Sequence, residues 1–255
     1  MNHILFSTDG PIATITLNRP EKLNAVTPEM ADALIAHVHH CNDNDEIRAV
    51  IITGAGDCAF CAGSDISELD SYETPWVFRN RPDYCDAIRA LRKPAICAVN
   101  GYAFGGGLET AMSCDIRIAA DTAKFASPEV KLGWIGGGGM AYMLAHNIGT
   151  SNAARMLMTG EPISAATALS WHLVSEVVPA SELLALARSI AQAIAARPPI
   201  AVQTAKTNLR AAYAVPLETA IQYERDLQTI CFATQDADEG RRAFKEKRTP
   251  TFLGR

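Results

Sequence analysis

Apolar residues follow two patterns along this chain: short unbroken runs in the first half, helically spaced positions in the second. Residues 3–7 and 12–17 flank Asp9-Gly10-Pro11, a turn signal, and read as a β-hairpin. The runs Ala49–Thr53 and Ala95–Val99 are too short for helices and lack polar alternation, which predicts strands buried on both faces. Ile116–Ala119 and Ala123–Ala126 read as two further strands. Between them, Thr27 is suited to cap a helix with Pro28 at its first position. Met30, Leu34, Ile35 and Val38 carry that helix to about Asn42. A short helix is expected over 83–92, after a segment of mixed polarity from Ser67 to Pro82 that is a candidate lid. Beyond Gly136–Gly139 the spacing turns helical, over MAYMLAHNIG and then 151–158, 164–170, 180–196, 200–213, 216–234 and 236–246. Strands alternating with helices, then helices alone, predict an α/β core followed by a helical appendage.

Composition narrows the function classes. The 255 residues carry a net charge of −5 and have 48% hydrophobic content, as expected of a soluble globule. No basic strip is present, so nucleic acid is not an expected partner. No apolar run reaches the length of a membrane span, and MNHILFSTDGP has no secretory pattern, so the expected location is cytoplasmic. Seven cysteines scattered through apolar stretches suit buried, reduced thiols. Cys58 and Cys61 form an isolated C-x-x-C without a second ligand pair, so they read as turn residues. His37, His39 and His40 have no carboxylate or cysteine partners nearby and read as surface residues; no metal site is expected.

The stretch KPAICAVNGYAFGGGLETAMSCD, residues 93–115, organises the chemistry. A buried strand, a turn with Gly105, Gly106 and Gly107, and a helix start together aim backbone N–H groups at one point. Glu109 lies on the first helical turn, where a carboxylate also simply suits the helix dipole, but its neighbours Leu108, Ala111 and Met112 are apolar. A second glycine turn, FCAGSD, spans 60–65, and a second carboxylate, Glu129, follows the 123–126 run. Phosphate-loop, dinucleotide, nucleophile-elbow and zinc-protease patterns are all absent. Convergent N–H donors and two carboxylates suit reaction at a carbonyl: donors hold a developing oxyanion and carboxylates move protons beside it.

The chain resembles the crotonase (enoyl-CoA hydratase/isomerase) family. LNRPEKLNAV (17–26), FCAGSDI (60–66), KPAICAVNGYAFGGGLETAMSCDIRIA (93–119), FASPEVKLGW (125–134) and EGRRAFKEKRTPTFLGR (239–255) carry the likeness, in the family's order. The resemblance implies an α/β fold, a crotonase-like spiral of ββα turns over residues 1–195. A helical C-terminal region, 196–255, would build homotrimers or dimers of trimers. It implies an acyl-CoA thioester as substrate, with no metal and no separate cofactor. The backbone N–H groups of Ser64 and Gly106 are then the oxyanion donors, and Glu109 and Glu129 the acid/base pair, holding one water between them. Ala62, Ser64, Asp65, Ile66, Gly105 and Gly106 are the implied contacts to the CoA ester. This chain departs from the family where its usual proline-containing loop is replaced by Trp134-Ile135-Gly136-Gly137-Gly138-Gly139, which makes Trp134 and Gly137 acyl-pocket candidates.

Both glutamates being present favours hydration of an enoyl-CoA over double-bond isomerisation, which can proceed with one base. Carnityl-CoA-type dehydration, aromatic side-chain cleavage and thioester hydrolysis use the same donors. A different class is a non-catalytic acyl-CoA-binding subunit that keeps the fold. RNA binding, found in one branch of the family, lacks a basic strip here.

Overall fold

Two sheets of very different size divide the work in the computed structural model, which describes residues 3–69 and 71–255. Met1 and Asn2, part of the stretch read for a secretion signal, and Asp70, inside the candidate lid, lie outside the described residues. The strands are β1 (Ile4–Asp9), β2 (Ile12–Leu17), β3 (Ala49–Gly54), β4 (Ala59–Cys61), β5 (Ala95–Val99), β6 (Tyr102–Phe104), β7 (Ile116–Ala120), β8 (Lys124–Ala126), β9 (Ile163–Ser164) and β10 (Glu176–Val178). The larger sheet runs β1-β2-β3-β5-β7-β10, the smaller β4-β6-β8-β9. After the antiparallel β1–β2 hairpin the larger sheet is parallel.

Among the described residues, twelve α-helices connect and cover the strands. They are α1 (Pro28–Asp43), α2 (Ile66–Leu69), α3 (Pro75–Arg79), α4 (Tyr84–Arg89), α5 (Gly106–Ser113), α6 (Met140–Ile148), α7 (Thr150–Thr159), α8 (Ala165–Ser170), α9 (Leu183–Ala195), α10 (Pro199–Ala211), α11 (Leu217–Phe232) and α12 (Gln235–Glu246). Thr27 caps α1 as expected, its side chain accepting from Met30 N at 3.3 Å, with Pro28 in the first turn. The candidate lid contains the one-turn helices α2 and α3.

The large sheet is buried on both faces, which explains its unbroken apolar runs. One face packs Ile51, Ile96, Ala98 and Ile118 against Leu183, Ala187 and Ala191 of α9, whose i, i+4 alanines let the helix approach closely. The opposite face packs Val50, Ile52, Cys97 and Val99 into the main core with Met30, Leu34 and Val38 of α1 and Leu108 and Ala111 of α5. Five cysteines are buried in the fold; Cys231 is half-buried, and Cys58 is exposed and separate from buried Cys61.

Strands β4, β6, β9 and β10 were not legible in the hydrophobic pattern, and Phe60 and Cys61, expected in a glycine turn, belong to β4. These strands are two or three residues long, below the length at which alternation becomes a signal. Nevertheless β6 organises the site, because β4, β6 and β8 lie side by side and parallel.

Long-range contacts tie the last helices and the C-terminal segment to residues flanking the large sheet. Lys206 on α10 is buried, its Nζ 2.6 Å from Asp115 Oδ2 and 2.9 Å from Lys93 O. Asp115 Oδ2 also accepts from Ala95 N at 2.8 Å. Arg48 donates to Ala195 O and Phe252 O, at 3.2 and 2.9 Å. Helix α11, by contrast, has no buried residue, and Leu217, Ile230 and Phe232 are exposed.

Candidate active site

The small sheet delivers three turns to one place. Strand β4 leads into Ala62-Gly63-Ser64, β6 into Gly105 and α5, and β8 into Ser127-Pro128-Glu129. Because these strands are parallel neighbours, their carboxyl ends lie together, the usual place for a site on such sheets.

The first turn is braced from outside. Val26 N donates to Gly63 O at 2.8 Å, and Asp65 N to Val26 O at 2.9 Å, so the Ser64 N–H between them turns away from Val26. Asn24, fully buried, holds the approach by donating to Ala55 O and Ala59 O at 2.9 and 2.8 Å. Arg19 Nη1 lies 2.5 Å from Asp65 Oδ2, and Ser67 Oγ 2.6 Å from Asp65 Oδ1. The Ser67 hydroxyl and then the Arg19 guanidinium draw the Asp65 carboxyl down to about 2. That carboxylate is therefore committed to holding its own loop. Ile66, which opens α2, is exposed.

The second turn depends on Gly105, whose φ of 55° and ψ of −125° suit only glycine. It sets Gly106 at the first position of α5, where N–H groups have no partner within the helix. A Cβ on Gly63 would sit 3.1 Å from Gly106 N, and one on Gly106 would sit 3.5 Å from Ser64 N. The Ser64 and Gly106 nitrogens thus lie close to one another across the two turns. A Cβ on Gly107 would meet Cys61 O at 2.0 Å, so β4 and α5 touch through bare backbone.

Both glutamates are buried beside these donors. Glu109 Oε1 accepts from Gly138 N at 2.7 Å. Burial raises the proton affinity of Glu109 against that hydrogen bond, and the charge of Glu129 raises it further. Glu129 Oε2 accepts from Ser127 Oγ at 2.9 Å, while its Oε1 would lie 2.9 Å from a Cβ on Gly105. The carboxylates of two separate turns are therefore both buried beside the Gly105-Gly106 backbone and close enough for their charges to interact.

The glycine run after Glu129 has a concrete role. A Cβ on Gly136 or on Gly138 would lie 2.8 Å from a Glu109 carboxylate oxygen, so this loop packs its backbone on that side chain. Arg89 of α4 fastens the loop, with Nη1 donating to Gly138 O at 2.7 Å and to Ser113 Oγ at 3.0 Å. Ser113 Oγ in turn donates to Glu109 O at 2.8 Å, and Asp86 pairs with Arg89. Gly137 faces open space, and Trp134 is 42% exposed. Beside the first turn, a cavity lined by Val26, Ser64, Asp65, Tyr72, Arg81 and Tyr84 opens next to Ser64.

Sequence reasoning placed Ser64, Gly105, Gly106, Glu109 and Glu129, and the structure gathers them. It missed Ser127, Tyr84 and Arg89. Ser127 stands two residues before Glu129 and was readable as a local partner; the other two sit on α4, well before Glu109 in the chain, with no motif to mark them.

The sequence pattern of the enoyl-CoA hydratase/isomerase family matches residues 7–255. The chain belongs to this family. Among its relatives, a probable enoyl-CoA hydratase of Mycobacterium bovis is 41% identical over 255 residues, covering 99% of this chain and 98% of the relative. The 2,3-dehydroadipyl-CoA hydratase of Escherichia coli is 36% identical, covering 100% of both chains. An enoyl-CoA hydratase structure from Bacillus anthracis superposes with a TM-score of 0.94 at 35% identity, covering 100% of both chains. The fold is accordingly the crotonase fold of the enoyl-CoA hydratase/isomerase family. Among the described residues, no helix is long and apolar enough to cross a membrane, and no group of three or more His, Cys, Asp or Glu could hold a metal ion.

Proposed function

We propose that this protein hydrates the 2,3 double bond of an enoyl-CoA thioester, using its own residues and no separate cofactor. The observation that carries the reading is the convergence of four groups at adjacent strand ends: the N–H donors of Ser64 and Gly106, and the carboxylates of Glu109 and Glu129. Adding hydroxide character at Cβ pushes electron density onto the thioester oxygen. Two prealigned N–H donors stabilise that charge more than they stabilise the neutral carbonyl, lowering the barrier. Losing one such donor costs about 3 kcal/mol.

The two glutamates hold a water between them. One carboxylate takes a proton from this water as its oxygen bonds to Cβ, and the protonated partner delivers a proton to Cα, so no net charge is gained. A pair that shares one proton suits both roles, and the raised proton affinity of Glu109 supports that sharing. Gly138 N–H and Ser127 Oγ orient the carboxylates. Ala62, Ser64, Asp65, Ile66, Gly105 and Gly106 line the CoA-ester path, with Asp65 bracing the Ser64 turn through both its carboxylate and its backbone. Trp134 and Gly137 border the acyl end.

The same reading divides the chain into a catalytic core, 1–195, and a C-terminal helical region, 196–255, that assembles trimers or dimers of trimers in the cytoplasm. The exposed apolar residues of α11, Leu217 and Ile230 among them, support that assembly. The test is loss of the enoyl-thioester absorbance of crotonyl-CoA, with Glu109→Gln and Glu129→Gln beside the parent. Both variants are expected to lose activity by several orders of magnitude. Survival of Glu129→Gln would point to one-base isomerisation instead.

A further inference from the structure

We propose that Tyr84 is a third hydrogen-bond donor to the substrate's thioester oxygen, alongside the backbone N–H groups of Ser64 and Gly106. The inference rests on the enoyl-CoA reading above and adds a side-chain catalytic residue to it.

Tyr84 is the first residue of α4, a helix that packs against α5 and is capped by Asp83, whose Oδ1 accepts from Cys85 N at 2.7 Å. That cap fixes where the ring enters the site. The Tyr84 oxygen lies 2.7 Å from the position a Cβ on Gly106 would occupy, and Ser64 N lies 3.5 Å from the same position. Hydroxyl and N–H groups therefore border one small volume. The space that a side chain at 106 would fill is used by the tyrosine instead.

The hydroxyl has no hydrogen-bond partner among the described residues, yet its oxygen is not sealed off. Tyr84 lines the same cavity as Ser64 and Asp65. Tyr84 is half-buried, and a tyrosine packed into a core normally finds a partner for its O–H. Here the partner would be the ligand. Burial first, and then the neighbouring Cys85, Cys61, Asp83 and Glu109, hold its proton affinity well above that of an ordinary phenol. The group consequently stays protonated and donates without transferring its proton, which suits charge stabilisation rather than acid catalysis. Phenylalanine would keep the ring and remove only the donor.

The experiment compares Tyr84→Phe with the parent in three readouts. Crotonyl-CoA hydration is expected to fall at least tenfold in kcat, with the affinity for free CoA unchanged. The melting temperature is expected to stay the same or rise, because the hydroxyl makes no hydrogen bond among the described residues. Third, butyryl-CoA labelled with carbon-13 at its thioester carbonyl, which cannot react, is bound and followed by isotope-edited infrared spectroscopy. The carbonyl stretch should lie at lower frequency on the parent than on Tyr84→Phe. An unchanged stretch, or a kcat within twofold of the parent, overturns the proposal. A parent that shifts the butyryl-CoA carbonyl but hydrates no enoyl-CoA would contradict the hydratase reading; the Tyr84 contact would then stand or fall on the infrared difference alone.

Discussion

Replacing Gly105 with alanine should separate catalysis from stability. With φ of 55° and ψ of −125°, the backbone here is open to glycine alone, and a non-glycine residue held there costs about 1–3 kcal/mol. For a chain of this size, each kcal/mol moves the melting temperature by roughly 2–4 °C. The fold should therefore survive, melting lower by about 5 °C. The site suffers more. The new Cβ would sit 2.9 Å from Glu129 Oε1, and the side chain must retreat by about 0.5 Å or more to reach ordinary van der Waals contact. A misplacement on the order of 1 Å at a reacting group can cost about 100-fold. Rotation of the next peptide also turns the Gly106 N–H, and a lost oxyanion donor costs about 10²–10³-fold. Because these groups act as a unit the penalties do not multiply, and kcat/KM for crotonyl-CoA should fall about 10³-fold. The assay is the initial rate of hydration at 25 °C, with folded fraction checked by circular dichroism. A well-folded variant that keeps kcat/KM within threefold of the parent would refute the reasoning.

Three further outcomes follow from contacts outside the donors. Arg89→Leu removes the clamp on Gly138 O, so Glu109 loses the N–H that lowers its proton affinity; the acidic limb of the pH–rate profile should move to higher pH, and an unmoved limb would leave Arg89 without a positioning role. Lys206→Met strips the buried Asp115 contact and should cost about 3 kcal/mol in denaturant unfolding; a loss under about 1 kcal/mol would mean α10 is held by other contacts. The Asp65 carboxyl sits at about 2 when folded against an ordinary 3.8, so its stabilisation is complete above the unfolded value and lost as pH falls through the folded one. Arg19→Met should remove part of that acid sensitivity, on the order of 1 kcal/mol after solvent screening, measured as melting temperature between pH 4 and pH 2.

What the sequence disclosed depended on length and proximity. Ala49–Thr53 and Ala95–Val99 stood out because both faces of the sheet are covered, leaving no polar position to interrupt them. Strand β6 carries as much functional weight, yet three residues framed by Asn100-Gly101 and a glycine turn leave no period to read. Glu109 and Glu129 were legible as carboxylates in apolar company after strands. Arg89 was not, since an arginine beside an aspartate on a short helix looks like any solvated pair. Its function appears only when the fold brings Gly138 O to it. Lys206 and Asp115 are similarly silent, because nothing local couples a helix late in the chain to a strand boundary in its middle. The glycine loop after Trp134 was visible as a departure from the family, and its packing on Glu109 gives that departure a physical meaning.

The central claim is that two carboxylates add water to a thioester-activated double bond, and isotopic labelling tests it most directly. Crotonyl-CoA would be turned over in deuterium oxide enriched in oxygen-18, and the product analysed by mass spectrometry and NMR. The account predicts one oxygen-18 at Cβ and one deuteron at Cα in the same product molecule, with both lost in Glu109→Gln and Glu129→Gln. A product with a relocated double bond and no oxygen-18 would contradict it.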